Sequence, residues 1–258
     1  MIKTSELGLP LEYKKLPEFF DAHNISDDTI STNTVIEKLL NEQNVKSVLD
    51  FTCGTGSQVF FLKKIGYDIA GVDFSPALLK IARNKALQKN LSINFIDGDM
   101  RSSKIGKYDA VITIFNAIGH LSKNDFQNTL KNIYNNLNDG GVYVFDIFNL
   151  EAMNDDFVND LAMNYTKFID DCQLHHIQHS TINRIEGLLT SFDTYSIQKN
   201  NNKTKTLTNT FSLQIYSSKE LGELLTKNGF KTLGQYSLDK SKFVEEKSIN
   251  ILTVAKKI

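Results

Sequence analysis

The sequence is poor in cysteine. Cys53 and Cys172 are the only two among its 258 residues. Two cysteines placed so far apart make neither a disulfide framework nor a cysteine-rich metal site. We therefore expect a chain that works in the reducing environment of the cytoplasm.

Long apolar runs and an excess of one charge are also missing. No stretch approaches the length needed to span a bilayer, and residues 1–10 lack the continuous apolar segment of an export signal. The formal net charge is −1 at pH 7, so no basic surplus favours a polyanion. These absences predict a soluble protein without a membrane or nucleic-acid partner.

The chain does contain a regular alternation of short apolar runs and helical segments. Apolar runs of this kind suit strands covered on both faces. Helix starts are indicated between them by Ser75 followed by Pro76, and by the capping pair Ser122 and Asp125. The alternation predicts βαβ units, and hence a parallel α/β sheet with right-handed crossovers. The predicted strands cover residues 47–51, 68–73, 93–96, 108–115 and 142–148.

Other parts of the chain depart from this alternation. Residues 1–44 are predicted to be an N-terminal segment with helices over 17–23 and 31–41. Residues 151–215 are rich in Thr with alternating apolar positions, typical of an antiparallel β insertion of two or three strands over the ligand face. An exposed loop without a role is the alternative. Residues 216–258 return to the sheet pattern and end in a predicted hairpin. With 258 residues, we expect a single domain with its core at 45–150 and 216–258.

The most informative stretch is residues 48–57, where an apolar strand runs into a glycine turn that precedes a predicted helix. Gly54 and Gly56 let the backbone approach a ligand where a side chain would collide. The helix start offers unpaired N–H groups to a polar or anionic group. Taken alone, the turn fits several nucleotide-type ligands.

Two acidic residues narrow the choice. Asp73 ends the second strand, 17 residues after Gly56, where a carboxylate can reach a ribose diol. Asp99 follows the third strand. A dinucleotide fingerprint needs another glycine three residues after Gly56, and Val59 occupies that position. The glycine fingerprint for NAD binding is therefore incomplete in this sequence.

The glycine motif, Asp73, and the run Gly98, Asp99 and Met100 together resemble the class I S-adenosylmethionine-dependent methyltransferases. The likeness is strong over residues 45–150 and weaker towards the C-terminus. It implies S-adenosylmethionine as cofactor and a Rossmann-like, seven-stranded, mostly parallel sheet whose last strand is antiparallel. Thr52 stands where the family usually has glycine, although small residues are common there.

The same resemblance implies roles for individual residues. It places Asp50, Gly54 and Gly56 around the methionine portion, with Thr52 among the cofactor contacts. Asp73 would accept from both ribose hydroxyls, and Asp99 from the adenine amino group. Phe74 and Met100 would cover the two faces of the adenine ring, and Phe115 would contact the cofactor through its backbone.

Candidates for catalysis lie outside these motifs. Residues 13–21 resemble the N-terminal segment of small-molecule members, which makes Tyr13 and Phe20 candidates for an aromatic lid. Packing on the core is the alternative for Phe19 and Phe20. The Tyr13 hydroxyl could reach a carboxylate or an acceptor. His120, in the loop after strand four, is a candidate general base or acceptor-orienting group, and a histidine that only holds this loop is the alternative.

Three further histidines raise the question of a metal site. His175, His176 and His179 fall in a predicted strand, where positions 175 and 179 share a face about 13 Å apart. Direct chelation by both is disfavoured at that distance, and no cysteine pair or acidic cluster accompanies them. We therefore expect no metal site.

The expected acceptor is a small polar molecule. Methyltransferases of DNA bases or glutamine carry an Asn/Asp-Pro-Pro-aromatic motif after strand four, whereas this chain has Asn116 followed by Ala-Ile-Gly. The resemblance extends to aminosugar and glycine/sarcosine N-methyltransferases, which implies in-line transfer to an amine nitrogen with catalysis mainly by positioning. Methylation of a hydroxyl or carboxylate, a binding protein without activity, and a nicotinamide enzyme are the alternatives.

Overall fold

A computed structural model of the protein describes residues 6–200 and 202–258, except for the side chain of Asp27. The α-helices in this part of the chain are α1 (Phe20–Asn24), α2 (Asp27–Glu42), α3 (Ser57–Lys64), α4 (Pro76–Gln88), α5 (Lys123–Asn136), α6 (Asp155–Asp160) and α7 (Ser218–Lys227). The strands are β1 (Ser47–Asp50), β2 (Asp68–Asp73), β3 (Asn94–Asp97), β4 (Tyr108–Thr113), β5 (Leu137–Phe148), β6 (Met163–Ile169), β7 (Cys172–Asn183), β8 (Leu188–Lys199), β9 (Lys205–Gln214), β10 (Phe230–Tyr236) and β11 (Asn250–Lys257). Short 3-10 helices cover Leu11–Tyr13, Pro17–Phe19, Ala117–His120 and Leu150–Ala152.

Seven strands form the central sheet, in the order β10-β11-β5-β4-β1-β2-β3. Neighbouring strands from β5 to β3 run parallel, and β11 is antiparallel to both β5 and β10. Helices cover both faces, and a separate apolar cluster is buried on each. This double burial explains the nearly continuous apolar runs of β1 and β4. The predicted fold class, including the antiparallel last strand, is confirmed.

Serine caps set the starts of three helices. The hydroxyls of Ser75, Ser122 and Ser217 accept hydrogen bonds from backbone N–H groups in the first turns of α4, α5 and α7. Helix α2 begins at Asp27, earlier than predicted, because Ser26 and Thr29 form a capping box there. The helix predicted over residues 17–23 is divided into a 3-10 turn followed by α1.

An outer antiparallel sheet, in the order β6-β7-β8-β9, forms the β insertion. It has four strands, more than the two or three predicted. The N-terminal segment, residues 6–26, lies against this sheet: Ser212 N–H donates to the Leu7 carbonyl at 2.7 Å. Leu11, Leu16 and Phe19 share a buried cluster with Leu174 and Tyr195 of the outer sheet. Among the described residues, no helix is both long enough and apolar enough to cross a bilayer.

Candidate functional site

A cleft of about 320 Å³ opens at the carboxyl ends of the central strands. This volume falls within the range of about 300–1,000 Å³ that is usual for small-molecule sites. It is lined by Tyr13, Phe20, Thr52, Gly54, Asp73, Phe74, Asp99, Met100, Phe115 and His120 from the predicted set. Asp50 and Gly56 do not line it directly. The tertiary structure thus brings most of the predicted site residues to one place.

The carboxylate of Asp73 is held beside the glycine turn by backbone donors. Its Oδ2 accepts from Gly54 N–H and its Oδ1 from Ser75 N–H, each at 2.8 Å. Burial raises the pKa of Asp73 to about 6, although these backbone hydrogen bonds oppose the rise. Each oxygen keeps acceptor capacity for another donor. The geometry therefore presents a fixed acceptor at the tip of β2.

Several buried polar atoms around the turn lack partners among the described residues. They are Asp50 Oδ2, Thr52 Oγ1 and Gln58 Nε2. Thr52 and Gln58 line the cleft, and Asp50 Oδ1 accepts from Thr52 N–H at 3.0 Å. Burial raises the pKa of Asp50 to about 7. Buried polar groups without partners cost free energy, so a polar, cationic ligand portion bound here would stabilise the site.

The other end of the cleft carries Phe74, Met100 and an ion-pair network. Arg101 contacts Asp99 through Nε at 2.9 Å and Nη2 at 2.6 Å, and Asp125 through Nη1 at 3.0 Å. These two carboxylates raise the pKa of Arg101 above its usual value. The sequence analysis did not assign a role to Arg101, although its place directly after Met100 was a usable signal. The network fixes the Asp99 carboxylate, whose contact with adenine stays a prediction.

The N-terminal segment covers the cleft. The Tyr13 ring stacks on Phe74 with centroids 5.9 Å apart, and its edge meets Phe20 at 5.5 Å. Asp21 accepts from the Thr55 hydroxyl at 2.5 Å and pairs with Lys85. These contacts fasten α1 to the glycine turn.

Phe19 and Phe20 occupy different environments although they are adjacent in the chain. Phe19 is buried in the cluster beneath the outer sheet, whereas Phe20 lines the cleft. Phe19 therefore packs in the core, as in the alternative interpretation, whereas Phe20 lies where a lid residue is expected.

The loop after β4 has an unusual backbone. Phe115 and Asn116 both have positive φ, at 63° and 56°, a costly conformation for residues other than glycine. Fully buried Asp146 accepts from Phe115 N–H at 2.6 Å and from Asn116 N–H at 3.3 Å. The Phe115 N–H is thus engaged, which leaves its carbonyl for the predicted backbone contact. Asp146 was not among the predicted site residues, although an acid inside the apolar run of β5 was a usable signal.

Tyr13 and His120 meet across the cleft. The Tyr13 hydroxyl lies 3.5 Å from His120 Nε2. Burial lowers the pKa of His120 to about 4, so its imidazole is neutral at pH 7. Burial and nearby Asp73 raise the pKa of Tyr13, which keeps its proton. The pair is neutral, and such a pair can orient an acceptor or take up a proton.

Comparisons with known proteins agree with this geometry. Residues 48–141 match the family model described as a methyltransferase domain. The glycine/sarcosine N-methyltransferase of Aphanothece halophytica is 32% identical over 123 residues, which cover 46% of this chain and 46% of that protein. The chain spans about half the length of the curated relatives it matches.

Two solved structures show the same fold over nearly the whole chain. An S-adenosylmethionine-dependent methyltransferase from Clostridium acetobutylicum matches with a TM-score of 0.78 at 18% identity, covering 94% of this chain and 98% of that one. The sugar N-methyltransferase KedS8 from a Streptoalloteichus species matches with a TM-score of 0.78 at 17% identity, covering 100% and 96%. The resemblance predicted from the sequence motifs is confirmed.

Proposed function

We propose that this protein is an S-adenosylmethionine-dependent methyltransferase that methylates an amine nitrogen of a small polar molecule. The match of residues 48–141 to a methyltransferase domain and the shared fold support this proposal. The observation that carries the proposal is the cleft itself. A fixed Asp73 carboxylate, and buried polar atoms that have no partner within the described part of the chain, lie beside a neutral Tyr13–His120 pair. The choice of nitrogen is supported by the likeness to a glycine/sarcosine and a sugar N-methyltransferase.

The chain's own residues fit the cofactor. Asp73 would accept from the ribose hydroxyls with the acceptor capacity left on its two oxygens. Thr52 and Gln58 would satisfy their buried polar atoms on the methionine portion, near the carboxyl group of Asp50. Phe74 and Met100 would cover the adenine. When bound, S-adenosylmethionine supplies an electrophilic methyl group on a positively charged sulfur.

The residues on the acceptor side position the acceptor and exclude water. Tyr13 and Phe20 cover the cleft, and the rings of His120 and Phe211 lie 6.0 Å apart, which brings β9 of the outer sheet to the same side. A neutral amine already carries the lone pair it needs for attack, so holding it in line supplies most of the rate enhancement. The neutral imidazole of His120 can accept a hydrogen bond from the amine and orient its lone pair, while the proton leaves to solvent.

This role implies a division of labour along the chain. Residues 45–150 and 216–258 would form the cofactor-binding core. Residues 1–44 would act as the lid, and residues 151–215 would cover the acceptor. The contacts of Tyr13 with Phe74, and of Leu11 with the outer sheet, support this arrangement because they place the N-terminal segment between the two.

Transfer to oxygen is the competing reaction for the same site. A hydroxyl must lose its proton during attack, and His120 would have to receive it, although burial lowers its pKa to about 4 and makes it a weak base. The two reactions differ in their dependence on His120. Methylation of a hydroxyl requires the base, whereas methylation of an amine tolerates its loss.

The proposal is tested by calorimetry followed by methyl transfer. S-adenosylmethionine and its demethylated product should bind with micromolar dissociation constants, and NADH should not bind. Radiolabel from the methyl donor should then pass to amino sugars or small amino acids, and not to matched sugars with a hydroxyl in place of the amino group. Binding of NADH without binding of S-adenosylmethionine would contradict the proposed cofactor. Labelling of only the hydroxyl analogues would contradict the nitrogen target. Binding of S-adenosylmethionine without methyl transfer to any member of a metabolite panel would contradict the enzymatic activity and indicate a binding protein.

A further inference from the structure

A second group of polar side chains lies between the N-terminal segment and the outer sheet. Glu12, His23 and His176 each offer one ligand atom, and these atoms all lie within 4.8 Å of one another. Glu12 precedes Tyr13 in a 3-10 turn, His23 lies in α1, and His176 lies in β7. None of the three lines the cofactor cleft. The group is therefore distinct from the site described above.

The imidazoles converge on one point. His23 Nδ1 lies 2.5 Å from the Tyr165 hydroxyl, and His176 Nδ1 lies 3.1 Å from the same oxygen. The Nε2 of His176 is 3.0 Å from Asp193 Oδ1. A histidine that binds a metal usually donates its other ring N–H to a carboxylate, which orients the ring and raises its basicity. His176 and Asp193 have this arrangement, and His176 Nδ1 lies on the side of the ring that contacts the Tyr165 hydroxyl.

Glu12 supplies the independent observation. Its side chain is buried, Oε2 accepts from the Tyr195 hydroxyl at 3.1 Å, and Oε1 has no hydrogen-bond partner among the described residues. Asp193 is buried too, and no lysine or arginine in the described part of the chain forms an ion pair with either acid. A divalent cation would compensate both charges and give Oε1 a partner.

We infer that Glu12, His23 and His176 bind a divalent transition metal, with zinc the best match. Two imidazole nitrogens and one carboxylate oxygen are a common zinc donor set, and a water or the Tyr165 hydroxyl can complete four-fold coordination. Ligand atoms of a tetrahedral zinc lie about 3.3 Å apart, so atoms that lie within 4.8 Å of one another have to approach by up to about 1.5 Å on binding. Half-buried His23, in the five-residue helix α1, has the freedom to do this.

The metal clamps the N-terminal segment to the outer sheet. Glu12 and His23 flank Tyr13 and Phe20, which cover the cofactor cleft, while His176 belongs to β7. The proposed metal site differs from the sequence-based expectation of no metal site, because that expectation considered only His175, His176 and His179 of one strand. His175 contacts Thr166 and His179 stacks on Phe192, and neither is part of the group. The two nearest histidines of the same strand thus provide matched controls.

Metal titration tests the site without reference to methyl transfer. Protein freed of metal by a chelator is titrated with zinc against a chromophoric chelator, and with cobalt(II), whose tetrahedral complexes absorb strongly in visible light. We expect one zinc per chain with a micromolar or tighter dissociation constant, and a tetrahedral cobalt spectrum. Absence of stoichiometric zinc binding to the unaltered protein would overturn the inference, whatever the fate of its variants.

Variants locate the bound metal. His23→Ala should weaken zinc binding at least about tenfold and abolish the cobalt spectrum, whereas His179→Ala should change neither. Circular dichroism verifies that each variant is folded, and Glu12→Gln provides a second ligand variant. Equal losses in His23→Ala and His179→Ala would assign the metal to surface histidines and refute the site.

Discussion

Asp73 and Asp97 occupy paired register positions at the ends of the neighbouring parallel strands β2 and β3. Their environments differ sharply. Asp73 is 3% exposed and accepts two backbone N–H groups beside the cleft, whereas the side chain of Asp97 is 49% exposed and pairs with Arg83. The same residue type at equivalent strand tips therefore provides both a candidate cofactor contact and its control.

Replacing Asp73 with Ala should weaken S-adenosylmethionine binding at least about tenfold, because a buried charged acceptor and the anchor of the Gly54 N–H are lost together. Isothermal titration of the folded variant measures this. Asp97→Ala should leave the dissociation constant unchanged within about twofold, since exposed ion pairs contribute little. Unchanged affinity in Asp73→Ala would contradict the ribose assignment.

Tyr13→Phe separates the hydroxyl from the ring. The phenyl group still stacks on Phe74 and meets Phe20, so cofactor affinity should stay within about threefold while kcat falls about tenfold through loss of acceptor orientation. Tyr13→Ala should lower both the cofactor affinity and kcat. Steady-state kinetics with the acceptor found by the methyl-transfer screen provide the measurement. Tyr134→Phe, which removes a hydroxyl bonded to the Ile258 carbonyl, is the control and should match the unaltered enzyme.

His120 should make stability depend on pH in a defined direction. Its pKa is about 4 in the folded protein and about 6.5 when unfolded, so the unfolded chain binds a proton that the folded chain does not. The stability it contributes is fully present above pH 6.5 and is lost as the pH falls towards 4. His120→Gln cannot titrate, so its stability relative to that of the unaltered protein should rise by about 2–3 kcal/mol as the pH is lowered from 7.5 to 4.5. Urea unfolding at several pH values measures the difference, and an offset that does not change with pH would show that folding leaves the pKa of His120 unshifted.

Gly56 and Gly66 distinguish backbone strain from steric contact. Both have large positive φ, at 94° and 102°. A Cβ at Gly56 would lie 2.8 Å from Phe60 Cε2, whereas a Cβ at Gly66 would meet nothing within 4 Å. Gly66→Ala should cost about 1–2 kcal/mol of unfolding free energy through backbone strain alone. Gly56→Ala should cost about 1–2 kcal/mol more, as measured by urea unfolding. Equal costs would mean that the Phe60 ring moves aside freely.

Much of the cleft was predictable because its residues belong to short continuous motifs. The run from β1 through the glycine turn to α3, the acid at the end of β2 and the Gly98–Met100 stretch each follow a strand. Parallel strands bring their carboxyl ends to one edge of the sheet. Local patterns at strand ends were therefore enough to predict a shared site.

The outer sheet and the N-terminal segment were less predictable. β6 was not recognised because it is an edge strand whose apolar and polar residues do not alternate regularly, and its Phe168 is exposed. The hydrophobic periodicity of the sequence did not distinguish the environments of Phe19 and Phe20. The two residues lie at the junction of a 3-10 turn and α1, where the Phe19 ring enters the core and the Phe20 ring enters the cleft.

The sequence by itself determined the βαβ order, the serine caps and the strand-tip acids, since each depends on residues close together in the chain. Only the tertiary structure decided that Asp146 would hold the strained backbone of Phe115, and that Glu12 and His23 would face His176 more than 150 residues away. Side-chain contacts between distant segments depend on how separate elements pack, and a local pattern does not contain that information.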